Sequence, residues 1–472
     1  MNSRKRILSV DFGTSNCKAI LFDQDGRILS SSMEGVKTHF STTFGSVELD
    51  DQELRTSLFS CIRKALSGHD DTEAELVAIT AQATSTVCLN QKGNAVRPVI
   101  SHLDKRADNY GRRLRLQSRD LSYTGLKLGG SLEWIKETQP DDFKATKSIC
   151  DMREYLGFLL THRLTHDKSA LSESDVSKLC DILRIDESAF GLQHDYLSPI
   201  GNVEPNISQE LGLNSEVPVL LCPWDGLTCV IGSGLLKLGL AADIAGSTET
   251  VAAPVSNQSR LGTRNHLIPN FRLLYDSFPF GLAFEWFKSA YYGGSTIDQF
   301  DGIEKDILSI PSTDSSRGPL FVPTLREGWL NWIMGGSLID LDFRATRGQM
   351  MRGIMEGITM SVRHFLDRLR EDQIEIQELR VSGGGANSSI WNQIRADILG
   401  CPVVLLQTIE TGCLGAAIFG VVSLGIYRSI DEGSNQMVHE VDRYQPLRSN
   451  VERYEKMYAR FTTAYDHFNR KD

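Results

Sequence analysis

The sequence lacks the features that would place it in several large functional classes. It has no Cys-x-x-Cys pair, and its nine cysteines are scattered and odd in number. Neither a disulfide framework nor a zinc site is therefore indicated. Nowhere do about twenty apolar residues run together, so no membrane-spanning helix is expected. The basic start, Met1 to Arg6, leads directly into a strand and not into a secretory apolar region, which points to the cytoplasm. Cations are in deficit: the formal net charge is −10, against a surface for nucleic acid or anionic membrane. Two nucleotide signatures are missing as well, the Gly-x-x-x-x-Gly-Lys-Ser/Thr loop and the Gly-x-Gly-x-x-Gly fingerprint. At 472 residues the chain is too long for one core. Two domains are expected, 1–240 and 241–472.

What is present centres on residues 217–252. Val217 to Cys222 reads as a buried strand, and Asp225 follows its end, where α/β sheets present ligand-binding groups. Ile244 to Ala252 reads as two strands joined by Gly246-Ser247-Thr248, a turn whose amides and hydroxyls suit phosphate. The same unit stands at the start of the chain. Ile7–Val10 and Cys17–Phe22 flank Asp11-Phe12-Gly13-Thr14-Ser15-Asn16, and Arg27–Ser31 completes an antiparallel meander. Taken alone the first turn is an ordinary polar hairpin. Paired with its echo near Gly246, it indicates a duplicated domain with nucleotide between the copies. Asp11, at a strand end, can reach Mg²⁺ through water.

Leu76–Ala81 is a buried strand running into Gln82-Ala83-Thr84-Ser85-Thr86, and Val99–Leu103 brings up Asp104-Lys105-Arg106. These two loops suit a polyhydroxylated ligand. Equally, Asp104 and Arg106 read as a surface ion pair of little consequence. Residues 108–200 are mostly helical in pattern, with Leu128–Ser131 and Asp167–Asp181 as loops or helix ends. His162 and His166 are spaced for one helix face and read as surface histidines. Gly281–Ala290 and Met351–Arg370 are amphipathic helices, and Ile354, Ile358, Val362, Phe365, Leu366 and Leu369 form a core stripe on the latter. The aromatic segment Gly328–Trp332 reads as local packing. Leu379–Ser382 is a strand followed by Gly383-Gly384-Gly385-Ala386, with Ser388 and Ser389 as caps of the next helix. The small-residue helix opened by Glu410–Ala417 is expected behind that glycine run.

The ordered set resembles the FGGY carbohydrate kinases: Asp-Phe-Gly-Thr-Ser-Asn-x-Lys at 11–18, Gln82, Asp104-x-Arg106, Trp-Asp-Gly at 224–226, Gly-Ser-Thr at 246–248, Gly-Gly-Gly-Ala-Asn-Ser-Ser-Ile-Trp at 383–391 and Thr-Gly-Cys-Leu-Gly-Ala-Ala at 411–417. The resemblance implies an α/β fold of two actin-like (ribonuclease H-like) ATPase domains flanking a cleft. It assigns ATP to Gly13, Thr14, Ser15, Asn16, Lys18, Gly246, Ser247, Thr248, Gly281, Glu285, Gly384, Gly385, Ala386 and Ser389. The sugar falls to Gln82, Ala83, Thr84, Asp104, Arg106, Trp224 and Asp225, and Mg²⁺ to Asp11 and Asp225. Asp225 becomes the general base, although its position also suits the N-cap of a helix starting at Gly226.

The implied reaction moves the γ-phosphate of ATP to a hydroxyl of a small sugar or polyol, first a pentulose such as xylulose. Gluconate, erythritol or glycerol are alternative acceptors, and an actin-fold ATPase switch is the alternative class. No nucleic-acid or membrane partner is expected, and a homodimer is left open. The chain departs from the family pattern at His102, where relatives carry Trp, and at Trp224, where a smaller residue is usual. It also lacks a Gly-Glu-Arg-x-Pro segment and places Glu249 after the second phosphate turn.

Overall fold

Short apolar runs closed by polar turns build the two large sheets of the computed structural model, which describes residues 4–40, 45–67, 74–168, 170–214, 216–246, 248–293, 298–310, 318–327 and 332–469. In the first sheet β1 (Arg6–Phe12), β2 (Asn16–Asp23) and β3 (Ile28–Gly35) form the antiparallel meander. Next come β4 (Leu76–Ala81), β5 (Gly201–Asn202) and β6 (Pro218–Leu221). β4 lies parallel to both β1 and β6, and its six residues are all buried, as a continuous apolar run in a covered parallel sheet must be. The order is β5-β6-β4-β1-β2-β3.

The second sheet uses β7 (Leu240–Ala245), β8 (Glu249–Ser256), β9 (Arg264–Asn265), β10 (Phe271–Phe278), β11 (Glu378–Ser382), β12 (Val403–Leu406) and β13 (Glu440–Tyr444). Its order is β9-β10-β8-β7-β11-β12-β13. Laying β7, β8, β10, β11 and β12 on β1, β2, β3, β4 and β6 reproduces every neighbour and every direction. β13 matches β5 as an antiparallel edge, although it follows its neighbour in the chain where β5 precedes. The duplication seen in two turns therefore extends through two actin-like sheets.

The chain divides into two compact units, Met1–Gly232 with Gly412–Met437, and Ser233–Thr411 with Val438–Asp472. Each has its own core. Val10, Leu21, Ile79, Leu221 and Tyr155 belong to the first, while Val251, Leu274, Ile358, Leu379 and Trp391 belong to the second. The expected change of domain after residue 240 compares with one after Gly232, and the return of 412–437 to the first unit had no counterpart in the sequence reading.

Several local expectations are corrected. Leu128–Ser131 lies inside the helix Tyr123–Thr138, because its glycines let Leu114, Leu179 and Gly111 approach the helix closely. Residues 173–183 are helical and start with a complete Ser172–Asp175 capping box. His162 caps the helix Met152–Thr161 in the left-handed conformation, whereas His166 is a buried residue of the strand Thr165–Asp167. The helix Thr411–Ser423 packs its small residues on the first unit's β1 and on the helix Asp225–Gly232. Ser247 and residues 328–331 lie outside the described residues, while Trp332 begins the strand Trp332–Ile339.

Candidate active site

In the first unit the parallel strands β1, β4 and β6 end side by side, and each end delivers one polar group. Phe12 pairs with Ala81, and the Gln82 amide donates to the Phe12 carbonyl at 3.0 Å. The Cys222 amide donates to Ile79 at 2.8 Å. Asp11, Gln82 and Asp225 thus issue from one edge of the sheet, the edge where α/β folds gather ligands. The Pro223 carbonyl accepts from Thr80 Oγ1 and Thr228 Oγ1, both at 2.8 Å, and the Cys222 carbonyl accepts from Arg153 Nη1 at 2.9 Å. These bonds fix the short turn that carries Trp224 and Asp225.

Asp225 is the first residue of the helix Asp225–Gly232. The Trp224 carbonyl accepts from Leu227 and Thr228, so Trp224 is the residue that opens the helix. The Asp225 Oδ1 accepts only the next amide, Gly226, at 2.8 Å, which is not the reach of a side-chain N-cap. Burial, and then the neighbouring Asp11 carboxylate, push the Asp225 carboxyl up to about 7, against the pull of the Gly226 amide and the Arg153 charge. A carboxylate poised near neutrality accepts a proton more readily than an ordinary aspartate.

The β1–β2 turn beside it is closed by Gly13 N–H donating to the Asn16 carbonyl at 3.0 Å. Thr14 Oγ1 donates to Gln82 Oε1 at 3.0 Å, tying the turn to the end of β4, and Lys18 stands opposite Asp11 in the ladder. Ser15 is exposed at the tip. Two acidic groups at one sheet edge next to an amide-rich turn fit Mg²⁺ arriving with a nucleotide, since that ion takes few protein carboxylates and keeps water and phosphate ligands. Among the described residues no group of three or more His, Cys, Asp or Glu forms a self-contained metal cage.

The loop Asp104–Arg106 is not a surface pair. Asp104 is buried and accepts Arg106 Nε and Nη2 and the Val47 amide, while Arg106 also reaches Glu48 at 2.6 Å and stacks over Trp134 at 4.3 Å. Arg97 joins Glu48 from the other side. This fork-on-carboxylate network holds the loop after Val99–Ile100 rigidly beside the Gln82–Thr86 loop, through the Ser85 Oγ acceptor of the His102 amide at 3.3 Å.

In the second unit, β7 and β8 are joined by Gly246 and an exposed Thr248. The glycine run that follows β11 is dictated by packing. Gly383 has φ +75°, and a Cβ there would meet the Ala245 carbonyl oxygen at 2.8 Å; one on Gly385 would meet the Ala245 Cβ at 2.7 Å. Gly384 faces open space, and with Gly385 and Ala386 it forms a single turn before Ser388 caps the helix Ser389–Leu399. Ser388 and Ser389 donate to Glu304 at 3.1 and 3.4 Å. Gly281 lies in the helix Phe280–Tyr292, and the exposed Glu285 pairs with Lys288 at 2.7 Å.

One contributing residue, Arg395, is not singled out by the sequence. Arg395 is fully buried; it pairs with Asp243 at 2.9 Å and donates to the Gly385 carbonyl at 3.1 Å, fixing the glycine turn. Its signal was a lone cation one turn after Trp391, on which it stacks at 4.3 Å. Glu249, which the sequence already marks as a departure, is buried at the start of β8, where burial and the Asp243 carboxylate raise its pKa well above the usual range.

Residues 6–232 match the N-terminal domain, and residues 299–424 the C-terminal domain, of the FGGY family of carbohydrate kinases. The chain is 23% identical to a xylulose kinase of Bacillus subtilis (strain 168) over 98% of its own length and 97% of the relative's. It is 25% identical to an L-xylulose/3-keto-L-gulonate kinase of Escherichia coli (strain K12), covering 96% and 95%. Among solved structures, the gluconate kinase of Lactobacillus acidophilus superposes with a TM-score of 0.80 at 19% identity, covering 98% of both chains.

Proposed function

The chain belongs to the FGGY family of carbohydrate kinases, enzymes that transfer phosphate from ATP to a sugar hydroxyl, and we propose that Asp225 is its general base and an open-chain ketose or sugar acid its acceptor. The observation that carries this reading is the Asp225 carboxyl, raised to about 7 and free of any cap duty, at the sheet edge shared with Gln82 and Asp11. A sugar hydroxyl attacks phosphorus poorly until its proton has an acceptor, and Asp225 takes that proton as the new O–P bond forms and the bond to ADP breaks. Thr14, Ser15 and Asn16, in the turn closed by the Gly13 amide, hold the phosphate end of ATP on the first unit. Gly246 to Thr248, the Gly384–Ala386 turn and Ser389 receive nucleotide on the second, joined by Gly281 and Glu285.

Asp11 and Asp225 are the residues to hold Mg²⁺, which when bound neutralises charge building on the transferred phosphoryl group. Gln82, Ala83, Thr84 and Trp224 line the acceptor. Asp104 and Arg106, consumed in their own network, shape that wall more than they contact the sugar. The names of the two sequence relatives put pentuloses first, and that of the L. acidophilus structure adds aldonates. We place the reaction in the cytoplasm, where ATP is available.

The test is a coupled assay of ADP release with Mg-ATP over pentuloses, alditols, aldonates and ketoaldonates. A kinase accelerates only with a fitting acceptor; an actin-fold ATPase switch releases ADP at one rate whatever sugar is added. Asp225→Asn is expected to lower kcat by about 10²- to 10⁴-fold while ATP still binds. Retained turnover in that variant defeats the assignment of the base.

A further inference from the structure

We propose that Asp151 and Arg153 are positioning residues that set the distance between the sugar and its base. Both stand at the start of the helix Met152–Thr161; Asp151 holds the Gln82–Thr86 loop, and Arg153 holds the turn that leads to Asp225. The inference deepens the kinase reading above and rests on it.

The sequence Asp151-Met152-Arg153-Glu154 puts three charged residues at a helix start that folds into the interior. Arg153 and Glu154 are each only 3% exposed. Charges removed from water in this way are costly unless each is closely partnered. Two of the partners here are backbone groups of the segments that border the proposed reaction.

An N-cap side chain ordinarily accepts from the second or third amide of its helix. Asp151 Oδ1 instead accepts the Met152 amide at 2.7 Å and, with the same oxygen, the Ser85 amide at 2.7 Å. Ser85 follows Gln82-Ala83-Thr84, and its Oγ accepts the His102 amide at 3.3 Å. One carboxyl thus carries the loop proposed to line the sugar and, through it, the start of the next. Burial, and then the Glu154 carboxylate, push the Asp151 pKa up to about 8, so near pH 7 it accepts these amides mostly as the neutral acid.

Arg153 reaches the other wall. Its Nη1 donates to the carbonyl of Cys222, three residues before Asp225, at 2.9 Å. Its Nη2 lies on Glu154 Oε1 at 2.8 Å and on Asp167 Oδ2 at 3.1 Å, so the planar fork is pinned on its far side. The helix beneath is locked to the strand that leads into the same turn. A Cβ on Gly157 would meet Leu221 Cδ2 at 2.8 Å and Ile200 Cδ1 at 2.9 Å, so glycine lets the helix lie against the end of β6. One helical turn therefore spans the segments that leave β4 and β6. A misplacement of about 1 Å between reacting groups can cost ~10²-fold in rate. The bland reading, a capped helix and a buried ion pair that only stabilise the unit, predicts that activity follows the folded fraction.

The experiment measures kcat, both KM values and the melting temperature, using Mg-ATP and the acceptor that releases ADP fastest. Asp151→Ser keeps a capping hydroxyl but is too short to reach Ser85 as well. Its sugar KM is expected to rise about 10-fold, the range of a buried donor left unpaired, with KM for ATP unchanged. Asp151→Asn keeps the acceptor oxygen and should behave as wild type. Arg153→Met is expected to lower kcat by about 10- to 100-fold with both KM values kept. Because it takes the Arg153 charge away from two buried carboxylates, it is paired with the triple variant Arg153→Met, Glu154→Gln, Asp167→Asn. The triple variant should regain the melting temperature but not kcat. Recovery of kcat together with stability overturns the inference and leaves the kinase standing, and so does a sugar KM in Asp151→Ser that is unchanged or rises no more than KM for ATP. If neither arginine variant folds, the Asp151 pair decides alone. Retained turnover in Asp225→Asn, run beside them, defeats the base and with it the role of Arg153. If no acceptor accelerates ADP release by the wild-type protein, the kinase reading fails and takes the inference with it.

Discussion

Gly412 has no room for a side chain. A Cβ there would meet Asp11 Oδ2 at 2.3 Å and Cys229 Sγ at 3.4 Å, so the glycine lets the start of one helix touch both the end of β1 and the helix that carries Asp225. Gly412→Ala must displace Asp11, at an overpacking cost of about 1–3 kcal/mol. Because the displaced atom belongs to a proposed Mg²⁺ ligand, activity should fall roughly 10-fold or more for each ångström-scale misplacement. A steady-state assay beside a thermal melt checks this: an activity loss no larger than the stability loss predicts would remove Asp11 from the reacting centre.

Glu249 offers a residue-scale pH prediction with a definite sign. Burial first, and the Asp243 carboxylate second, raise its folded-state pKa above the unfolded value near 4.3. The folded chain therefore holds a proton that the unfolded chain has released. Its contribution to stability is complete below the unfolded pKa and is lost as pH rises through the folded one, at most about 1.4 kcal/mol per pH unit. Glu249→Gln keeps the shape and removes the titration. The variant's melting temperature relative to wild type should climb steadily from about pH 4.5 upward. A constant difference across that range would mean that Glu249 is ionised in the folded protein.

At the scale of the element, the strand–turn–strand units were legible because they depend on neighbours in sequence. Ile7–Val10 and Cys17–Phe22 correspond to β1 and β2 with one or two residues added at each end, and Leu76–Ala81 matches its strand to the residue. The stripe on the helix Arg347–Leu366 and the turn after it is buried as its spacing required, with Ile358 and Val362 fully covered. What failed were glycines used for packing. Leu128-Gly129-Gly130-Ser131 reads as a loop from propensity, yet a Cβ on Gly130 would meet the Gly111 amide nitrogen at 2.8 Å, so tertiary packing selects glycine inside a helix. The ion pair at Asp104 was equally illegible, since the sequence does not show that Glu48, Arg97 and Trp134 surround it.

The turn Gly384–Asn387 carries the element-scale prediction. Its carbonyl at Gly385 is held by Arg395, which the planar fork allows while Asp243 and Asn392 are bound at the same time. Arg395→Lys keeps the buried charge but reaches fewer acceptors. The expected result is a KM for ATP raised about 10-fold, as for one lost hydrogen bond to a charged group, with KM for the sugar unchanged. Equal changes in both constants would show that the arginine supports the unit as a whole and not the nucleotide turn.

For the whole molecule, the decisive fact is that the first unit is assembled from two stretches of chain. Residues 411–421 are all buried, as suits a helix apolar on every side, and the glycines within them mark close approach. A Cβ at Gly415 would meet the Thr228 carbonyl oxygen at 2.0 Å, and one at Gly420 the Ile7 Cγ2 at 2.8 Å. The sheet's helix cover on that side is therefore supplied by residues that follow most of the second unit in sequence. No local pattern announces this, which is why the expected division placed all of 241–472 together. It follows that residues 1–232 expressed alone lack part of their own core and should melt without a cooperative transition and bind hydrophobic dye. The same segment joined by a flexible linker to 412–437 recovers Gly415, Gly420 and the buried helix around them, and should melt cooperatively. Circular dichroism melts of the two proteins decide it: a cooperative transition from 1–232 alone would show that the returning helix only decorates a unit already complete.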